Sequence, residues 1–484
     1  MQQFMFYLIY LAFFLPISAN CQSFSEILFQ KHDVYKNQEI KTRRFKYEDI
    51  APTIKTLSLP FEVKTIGESI EGRAIYLVKI GRGKTKVLLW SQMHGDESTA
   101  TMALMDIFNF FQAQDQLSEY KNTILDSLTL YFIPMLNPDG ADKFRRRNAL
   151  NIDLNRDALR LQTPEGKILK KIRDDIEADW GFNLHDQSRY YSVGTTNRTA
   201  TISFLAPAYN YEKAVNSIRK RAMQQIGLMN QTLQTYMPGH VAKYNDTFEP
   251  RAFGDNIQKW GTSTILIESG GYKKDREKQF IRKMNFVVLL TSFHQIALKS
   301  YQPIGTAIYE SIPFNGRYFH ELIIRKATLY KEGRPFILDL AFRKDELQFN
   351  KNRSFYNQAY ISDIGDLSTY HGYEELNANG YTIVPGKVYP KTIKHYKKLK
   401  RLNIQELLQN GYTSVRIKNL SNQVRQLSLP IDFLSISDLY HPAFNTGANP
   451  SFFLEKAGKK EMVIINGQVF KKNDKNKFTI SSKD

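Results

Sequence analysis

Four side chains of this chain stand where apolar runs break off, and their types could hold a metal ion and move a proton. His94 and Glu97 follow the run KVLLW, His185 follows FNL, and Glu268 lies inside ILIESGG. Two imidazoles and one carboxylate make the three-donor set of a catalytic zinc, with the fourth position left to water. Glu268 is then a further carboxylate in a buried strand, where it needs a partner or a task. The HxxE spacing taken alone is equally compatible with a structural turn. The chain has no HExxH, and HGDES lacks the second histidine of HxxEH. His240, His294, His320, His371, His395 and His441 have no such company and read as surface or core residues.

Strands must bring these positions together, because open α/β sheets bind ligands outside the carboxyl ends of their strands. KVLLW, SLTLYFIPML and STILIES are continuous apolar runs, as expected of strands covered on both faces. Helical spacing recurs in STATMALMDIFNFFQ, where Ser98 or Thr99 could cap, and over residues 164–178, 211–236 and 275–299. Gly67 and Gly72 break an alternating stretch, which suggests paired strands around a turn. The fold class expected is α/β, a mixed central sheet flanked by helices, followed by a smaller β-rich C-terminal domain. Its expected divisions are a signal peptide at 1–21, a lead-in at 22–60, a catalytic domain at 61–301 and an accessory domain at 302–484.

The first residues are apolar from Phe4 to Ile17, with no charged side chain before Glu26. That length fits a secretory leader better than a spanning helix, with an uncleaved anchor as the alternative. Cys21, the only cysteine, sits at the processing site, and lipid attachment there competes with plain cleavage near Gln22. Cleavage leaves no thiol, so a metal would be held by His, Asp and Glu. The expected location is secreted or periplasmic, with no stable membrane span after cleavage. The net charge of +19 is spread widely, and its densest runs lie far from the four positions above. A solvated basic surface is therefore expected, with no nucleic-acid partner.

The segment RRRNALNIDLNRDA, residues 145–158, weighs against the structural-turn reading of the HxxE spacing. With HGDE, NPDG, NLHDQ, ILIESGG and the early GESIEGRAI, it resembles the zinc carboxypeptidases of the carboxypeptidase A type over residues 45–300. All the motifs occur in order. The resemblance implies one zinc per chain on His94, Glu97 and His185, and Glu268 as general base. It implies Asp153 as the hydrogen-bond acceptor behind His94. Asn155 and Arg156 would hold a terminal carboxylate, which a planar guanidinium bonds bidentately. Arg146 would polarise the carbonyl, with Arg145 and Arg147 leaving the register open by one residue. Tyr244 is the candidate for the family's mobile tyrosine, although YNDTFEPRAFGDN departs from the family's loop. Asp186 departs too, since many relatives carry a small or hydroxyl residue there.

The function implied is a secreted zinc metallocarboxypeptidase that hydrolyses a C-terminal peptide bond, its substrate a peptide with a free carboxylate. Two alternatives stay open. One is a zinc-dependent deacylase or amidase acting on N-acyl amino acids or cell-wall stem peptides. The other is a non-catalytic protein that binds peptide carboxylates.

Overall fold

The structure is a computed structural model that describes residues 23–425, 429–438 and 443–481. The leader expected at 1–21, with Cys21, and His441 lie outside the described residues. No helix among the described residues is long and apolar enough to cross a membrane.

An eight-stranded mixed sheet organises the first part of the chain. Its strands are β1 (Glu62–Glu68), β2 (Ala74–Gly81), β3 (Thr85–Ser91), β4 (Leu128–Ile133), β5 (Trp180–Asp186), β7 (Ile202–Leu205), β8 (Val241–Lys243) and β9 (Ser263–Ser269). The short β6 (Ser192–Val193) lies outside that sheet and pairs with β10 (Asn315–Gly316). Across the main sheet the order is β1-β2-β4-β3-β5-β9-β7-β8. Strands β4, β3, β5 and β9 run parallel at its centre, and β7 lies antiparallel against β9.

Side chains of β3 alternate between two cores, which is why its apolar run is continuous. Val87 and Leu89 face one core with Phe132, Phe182 and Ile267, while Leu88 and Trp90 face the other with Ile75, Leu77 and Ile133. Helices α3 (Thr99–Gln112), α7 (Ser217–Tyr236) and α9 (Gln279–Ala297) cover the first face. Helices α6 (Pro164–Ile176) and α8 (Phe253–Lys259) contribute Leu169, Ile172 and Ile257 to the second. Burying each large apolar side chain contributes roughly 1.5–3 kcal/mol. Helix α7 begins at Ser217 rather than near 211, where Asn216 accepts a hydrogen bond from the Arg219 N–H and caps it.

The stretch expected as a lead-in folds into α1 (Phe24–Tyr35) and α2 (Tyr47–Lys55), whose Leu28, Tyr35, Ile50 and Ile54 join the first core. A charged knot secures this packing. The fully buried Asp106 of α3 accepts hydrogen bonds from Arg282 of α9 (2.7 Å from Nε), from His32 Nε2 (2.9 Å) and from the Asn37 N–H (2.7 Å). A buried carboxylate is tolerable only when paired and hydrogen-bonded in this way.

Downstream, a nine-stranded sheet is assembled from β11 (Phe319–Lys331), β12 (Arg334–Phe349), β13 (Ser354–Gly365), β14 (His371–Asn377), β15 (Thr382–Pro385), β19 (Phe452–Lys456), β20 (Lys459–Ile465), β21 (Gln468–Lys472) and β22 (Phe478–Ile480). A small three-stranded sheet of β16 (Lys387–Val388), β17 (Tyr412–Ile417) and β18 (Asp432–Ser435) completes this β-rich region. Its helical content is confined to short pieces such as Ile404–Gln409.

The two sheets are joined through charged side chains. Arg43 and Arg44 both pair with Glu346 of β12, and both guanidinium groups lie over the Phe355 ring, at 4.9 and 4.6 Å. Arg353 pairs with Glu48 and Asp49 of α2.

Candidate metal centre and active site

The carboxyl ends of β3 and β5 place the candidate donors, and a strained turn aims the first of them. At the exit of β3, Gln92 takes a left-handed backbone, φ 47°. For a residue other than glycine that conformation persists only when its surroundings enforce it. Here the Asn137 N–H donates to the Gln92 carbonyl at 3.0 Å, and Gln92 Nε2 donates to the Gly95 carbonyl at 3.0 Å. Gly95 packs backbone to backbone on Gly140, and a Cβ at Gly95 would collide with the Gly140 carbonyl. The NPDG motif is therefore a brace for the HGDE loop. Its Asp139, fully buried, accepts hydrogen bonds from Ser69 Oγ (2.7 Å) and Arg73 Nη1 (2.6 Å), tying the β1–β2 turn to the same place.

His94, Glu97 and His185 converge, all buried, with one donor atom of each within 4.8 Å of the others. His94 Nδ1 lies 2.9 Å from Glu97 Oε1, and His185 Nδ1 lies 2.7 Å from Glu97 Oε2 and 3.1 Å from His94 Nδ1. Donors at ~2.0–2.1 Å around a tetrahedral zinc stand about 3.3 Å apart, close to these separations. The opposite edge of His94, Nε2, donates to Asp153 Oδ1 at 3.1 Å, which turns Nδ1 toward the cluster. Arg146 already brings a cation to these donors: Nη1 is 3.1 Å from His94 Nδ1 and 3.2 Å from Glu97 Oε1. The residues present fit a divalent ion in donor type, spacing and charge.

The electrostatics follow from burial and from the crowding of charges. Burial would raise the Glu97 carboxyl, but the flanking His94 and His185 outweigh it and hold the group well below the carboxylate range. Burial opposes charge on His94 as well, yet Glu97 and Asp153 hold that imidazole up to about 9. His185 is pushed down by burial. Desolvation of Asp153 is outweighed by His94 and Arg146, and its carboxyl falls far below the usual range.

Parallel pairing of β5 with β9 sets His185 directly beside Glu268. Glu268 is buried, and its carboxylate forms no hydrogen bond or ion pair among the described residues. Burial, then the charge of Glu97, raises its carboxyl well above the ordinary range. Tyr244, on the loop after β8, sits within the field of Glu268, and burial followed by that carboxylate raises its hydroxyl. Its ring meets Tyr191 edge-on at 6.4 Å.

Among the three consecutive arginines, Arg146 reaches the cluster. Arg145 turns back to the Asn148 carbonyl at 2.8 Å and Arg147 to the Asn151 carbonyl at 3.1 Å. Asn155 and Arg156 form no hydrogen bond with the three donors among the described residues, although the Asn155 N–H donates at 3.0 Å to the Asp153 Oδ1 that also holds His94. The Asn155 side-chain carbonyl accepts the Phe253 N–H at 2.9 Å, at the start of α8. Arg156 faces Glu249, with Nε 3.2 Å from Oε2, and Arg251 grips the same carboxylate at 3.0 Å through both Nε and Nη2.

Several neighbours complete the site, and the sequence signalled only some of them. Asp186 is no free pocket anion: Lys278 Nζ donates to it at 2.9 Å and Thr99 Oγ1 at 2.6 Å. Thr99 is thereby committed to Asp186 rather than to capping α3, and the Ser98 hydroxyl donates to the Arg43 carbonyl. Asp96, inside the HxxE spacing itself, is lifted to about 6 by burial and then by Glu97, and its Oδ1 is buried without a partner among the described residues. The loop after His185 is anchored from the downstream sheet: Tyr373 Oη donates to the Arg189 carbonyl at 2.6 Å, and the Lys344 N–H donates to Tyr190 Oη at 2.9 Å. Asp96 could have been flagged from its place in the motif. The partners from the downstream sheet are more than a hundred residues away, and no local pattern points to them.

Comparison with known proteins bears on the same residues. Residues 56–163 match the family model described as zinc carboxypeptidase. Carboxypeptidase SOL1 of Arabidopsis thaliana is 25% identical over 186 residues, 32% of this chain. That match spans 38% of the length of the plant relative. Among solved structures, a metallo-carboxypeptidase from Burkholderia cenocepacia is similar at 16% identity and TM-score 0.43, covering 53% of this chain and 70% of that one. Carboxypeptidase A from Helicoverpa armigera is similar at 14% identity and TM-score 0.40, covering 57% and 81%. His185 and Glu268 lie beyond the matched stretch and reach it only through the sheet. His94, Glu97, Arg146, Asp153, Asn155 and Arg156 lie within it, and the family this chain resembles is that of the zinc carboxypeptidases.

Proposed function

We propose that the protein is a zinc metallocarboxypeptidase that removes a C-terminal residue by hydrolysis, with one zinc on His94, Glu97 and His185. The observation that carries this reading is the juxtaposition of a three-donor cluster with the unpaired carboxylate of Glu268 on the neighbouring strand. A binding protein has no use for that carboxylate, and burying it unpaired is costly. When bound, zinc lowers the pKa of its water to about 7 and polarises a carbonyl. Glu268 takes the water proton and hands it to the leaving amine, and its raised pKa suits a group that must do both. Arg146 supplies positive charge beside the cluster, where charge develops on the carbonyl oxygen. Asp153 keeps the proton of His94 on Nε2 and its ring in place. Tyr244, whose hydroxyl feels the Glu268 charge, is assigned to covering a bound substrate.

Asn155 and Arg156 are assigned to the terminal carboxylate, and that carboxylate would compete with Glu249 for the guanidinium. We place the enzyme's work outside the cytoplasm, on the apolar stretch from Phe4 to Ile17. Metal analysis tests the centre: the purified protein should carry one zinc, and His185→Ala should lose it while His240→Ala keeps it. Full zinc retention by His185→Ala would refute the ligand set.

A further inference from the structure

A cavity of about 430 Å³ lies between the loop that follows β9 and the downstream sheet. It shares Arg189, Asp275 and Arg276 with a second cavity, of about 260 Å³, whose wall includes Glu97 and Asp186. Together they make one cleft that starts at a metal-site carboxylate and ends against β13, β18 and β21. Its size is that of a ligand pocket, roughly 300–1,000 Å³. The close fit at its middle is set by Gly271, where a Cβ would run into the Tyr373 hydroxyl of β14 and the Arg189 side chain.

Charge along the cleft is unevenly partnered. Lys273, Lys274 and Arg276 line it and form no ion pair among the described residues; Arg276 donates to the Phe355 carbonyl at 3.1 Å and lies over that ring. Among the carboxylates of the same walls, Glu374 is not free and Asp96 leaves Oδ1 without a partner among the described residues, while the others are engaged. Glu321 is held by Lys344 at 3.0 Å and Arg189 at 3.5 Å. Asp275 accepts the Gln279 and Ile281 N–H groups at the start of α9. Asp432 is buried and accepts the Phe433 N–H. Beside the free cations, the Asn357 and Gln468 amides also line the cleft without a side-chain partner among the described residues. Amides pair readily with a peptide backbone, and unneutralised cations facing a cavity attract carboxylates.

We propose that this cleft holds the part of the substrate upstream of the scissile bond and selects peptides carrying Asp or Glu there, with the downstream sheet as one wall. The inference rests on the peptidase reading above. The test uses full-length zinc-loaded protein and two hexapeptides with the same C-terminal residue, one with Glu and Asp at the second to fourth residues before the scissile bond, the other with Gln and Asn. The acidic peptide should be the better substrate by about tenfold in kcat/KM, and the preference should shrink with added salt. Replacing Lys273, Lys274 and Arg276 together by Glu should reverse the order, whereas Lys331→Glu at the exposed turn between β11 and β12 should not. Equal kcat/KM for the two peptides in the wild type, or an unchanged ratio in the triple variant, would overturn the proposal. If neither peptide is hydrolysed, the peptidase reading fails. The cleft is then judged by anisotropy with the fluorescently labelled acidic hexapeptide on the Glu268→Gln protein. Salt-sensitive binding lost in the triple variant supports it, and equal binding of both peptides, or displacement only by a sulfated polysaccharide, overturns it.

Discussion

The carboxyl ends of β3, β5 and β9 and the wall formed by the downstream sheet border the same cleft, yet they are built by opposite means. At the strand ends, each candidate residue is aimed by its own local segment: a left-handed Gln92, a Gly95–Gly140 contact, a parallel register that sets His185 beside Glu268. At the wall, nothing local does the aiming. Arg189 and Tyr190 are held by Glu321, Lys344 and Tyr373, residues brought from more than a hundred positions away. Chemistry that depends on tenths of an ångström is placed on strand ends, and recognition of a longer ligand is left to long side chains that meet across an interface.

The sharpest way to break this comparison is at Glu268. Glu268→Gln is nearly isosteric and should keep both fold and zinc, while turnover drops on the order of 10²- to 10⁴-fold for a lost general base. Retained turnover with zinc in place would remove Glu268 from the chemistry and leave the two regions without a functional contrast.

Next in size is the joint between the regions. Glu321→Gln leaves the part-buried Lys344 and Arg189 without their carboxylate, two charged contacts worth about 1.5–3 kcal/mol each. Thermal unfolding should show the loss, and hydrogen exchange should rise in residues 187–191 while zinc content stays whole. Unchanged exchange in that loop would mean the downstream sheet does not position it.

A smaller effect is expected at Arg156. Arg156→Ala should weaken free-carboxylate peptides by about 1.5–3 kcal/mol, the worth of a hydrogen bond to a charged group. Glu249→Gln should strengthen them, because it frees the guanidinium. Inhibition constants of product-like peptides measure both. Equal cleavage of amidated and free peptides by the wild type would refute the carboxylate clamp.

The least effect concerns Asp432, whose carboxyl burial lifts to about 6. A folded-state pKa above the unfolded one means that the charged form destabilises the fold. The penalty is complete above about pH 6 and vanishes below the ordinary carboxylate range near 4, at about 1.4 kcal/mol per unit. Asp432→Asn should therefore stabilise by on the order of 1–3 kcal/mol at pH 8, with the gain shrinking toward pH 5. A pH-independent difference in denaturant midpoint would show that desolvation is not the cause.

By itself the sequence determined the kind of chemistry and the kind of sheet. HGDE, NPDG and IDLNRD are contiguous, and KVLLW, FNLHD and ILIES announce buried strands that end in reactive side chains, because apolar periodicity and short spacings are local properties. Local spacing also allowed three readings of RRR, and only the tertiary structure separated Arg146 from its neighbours, by directing one guanidinium to Glu97 and the others to backbone carbonyls. The structure likewise gave Asp186 its Lys278, Arg156 its Glu249, and the stretch before residue 61 its place in the main core. Those outcomes rest on partners far apart in the chain, which meet only when burial of the sheet's two faces has folded the helices and the downstream strands around it.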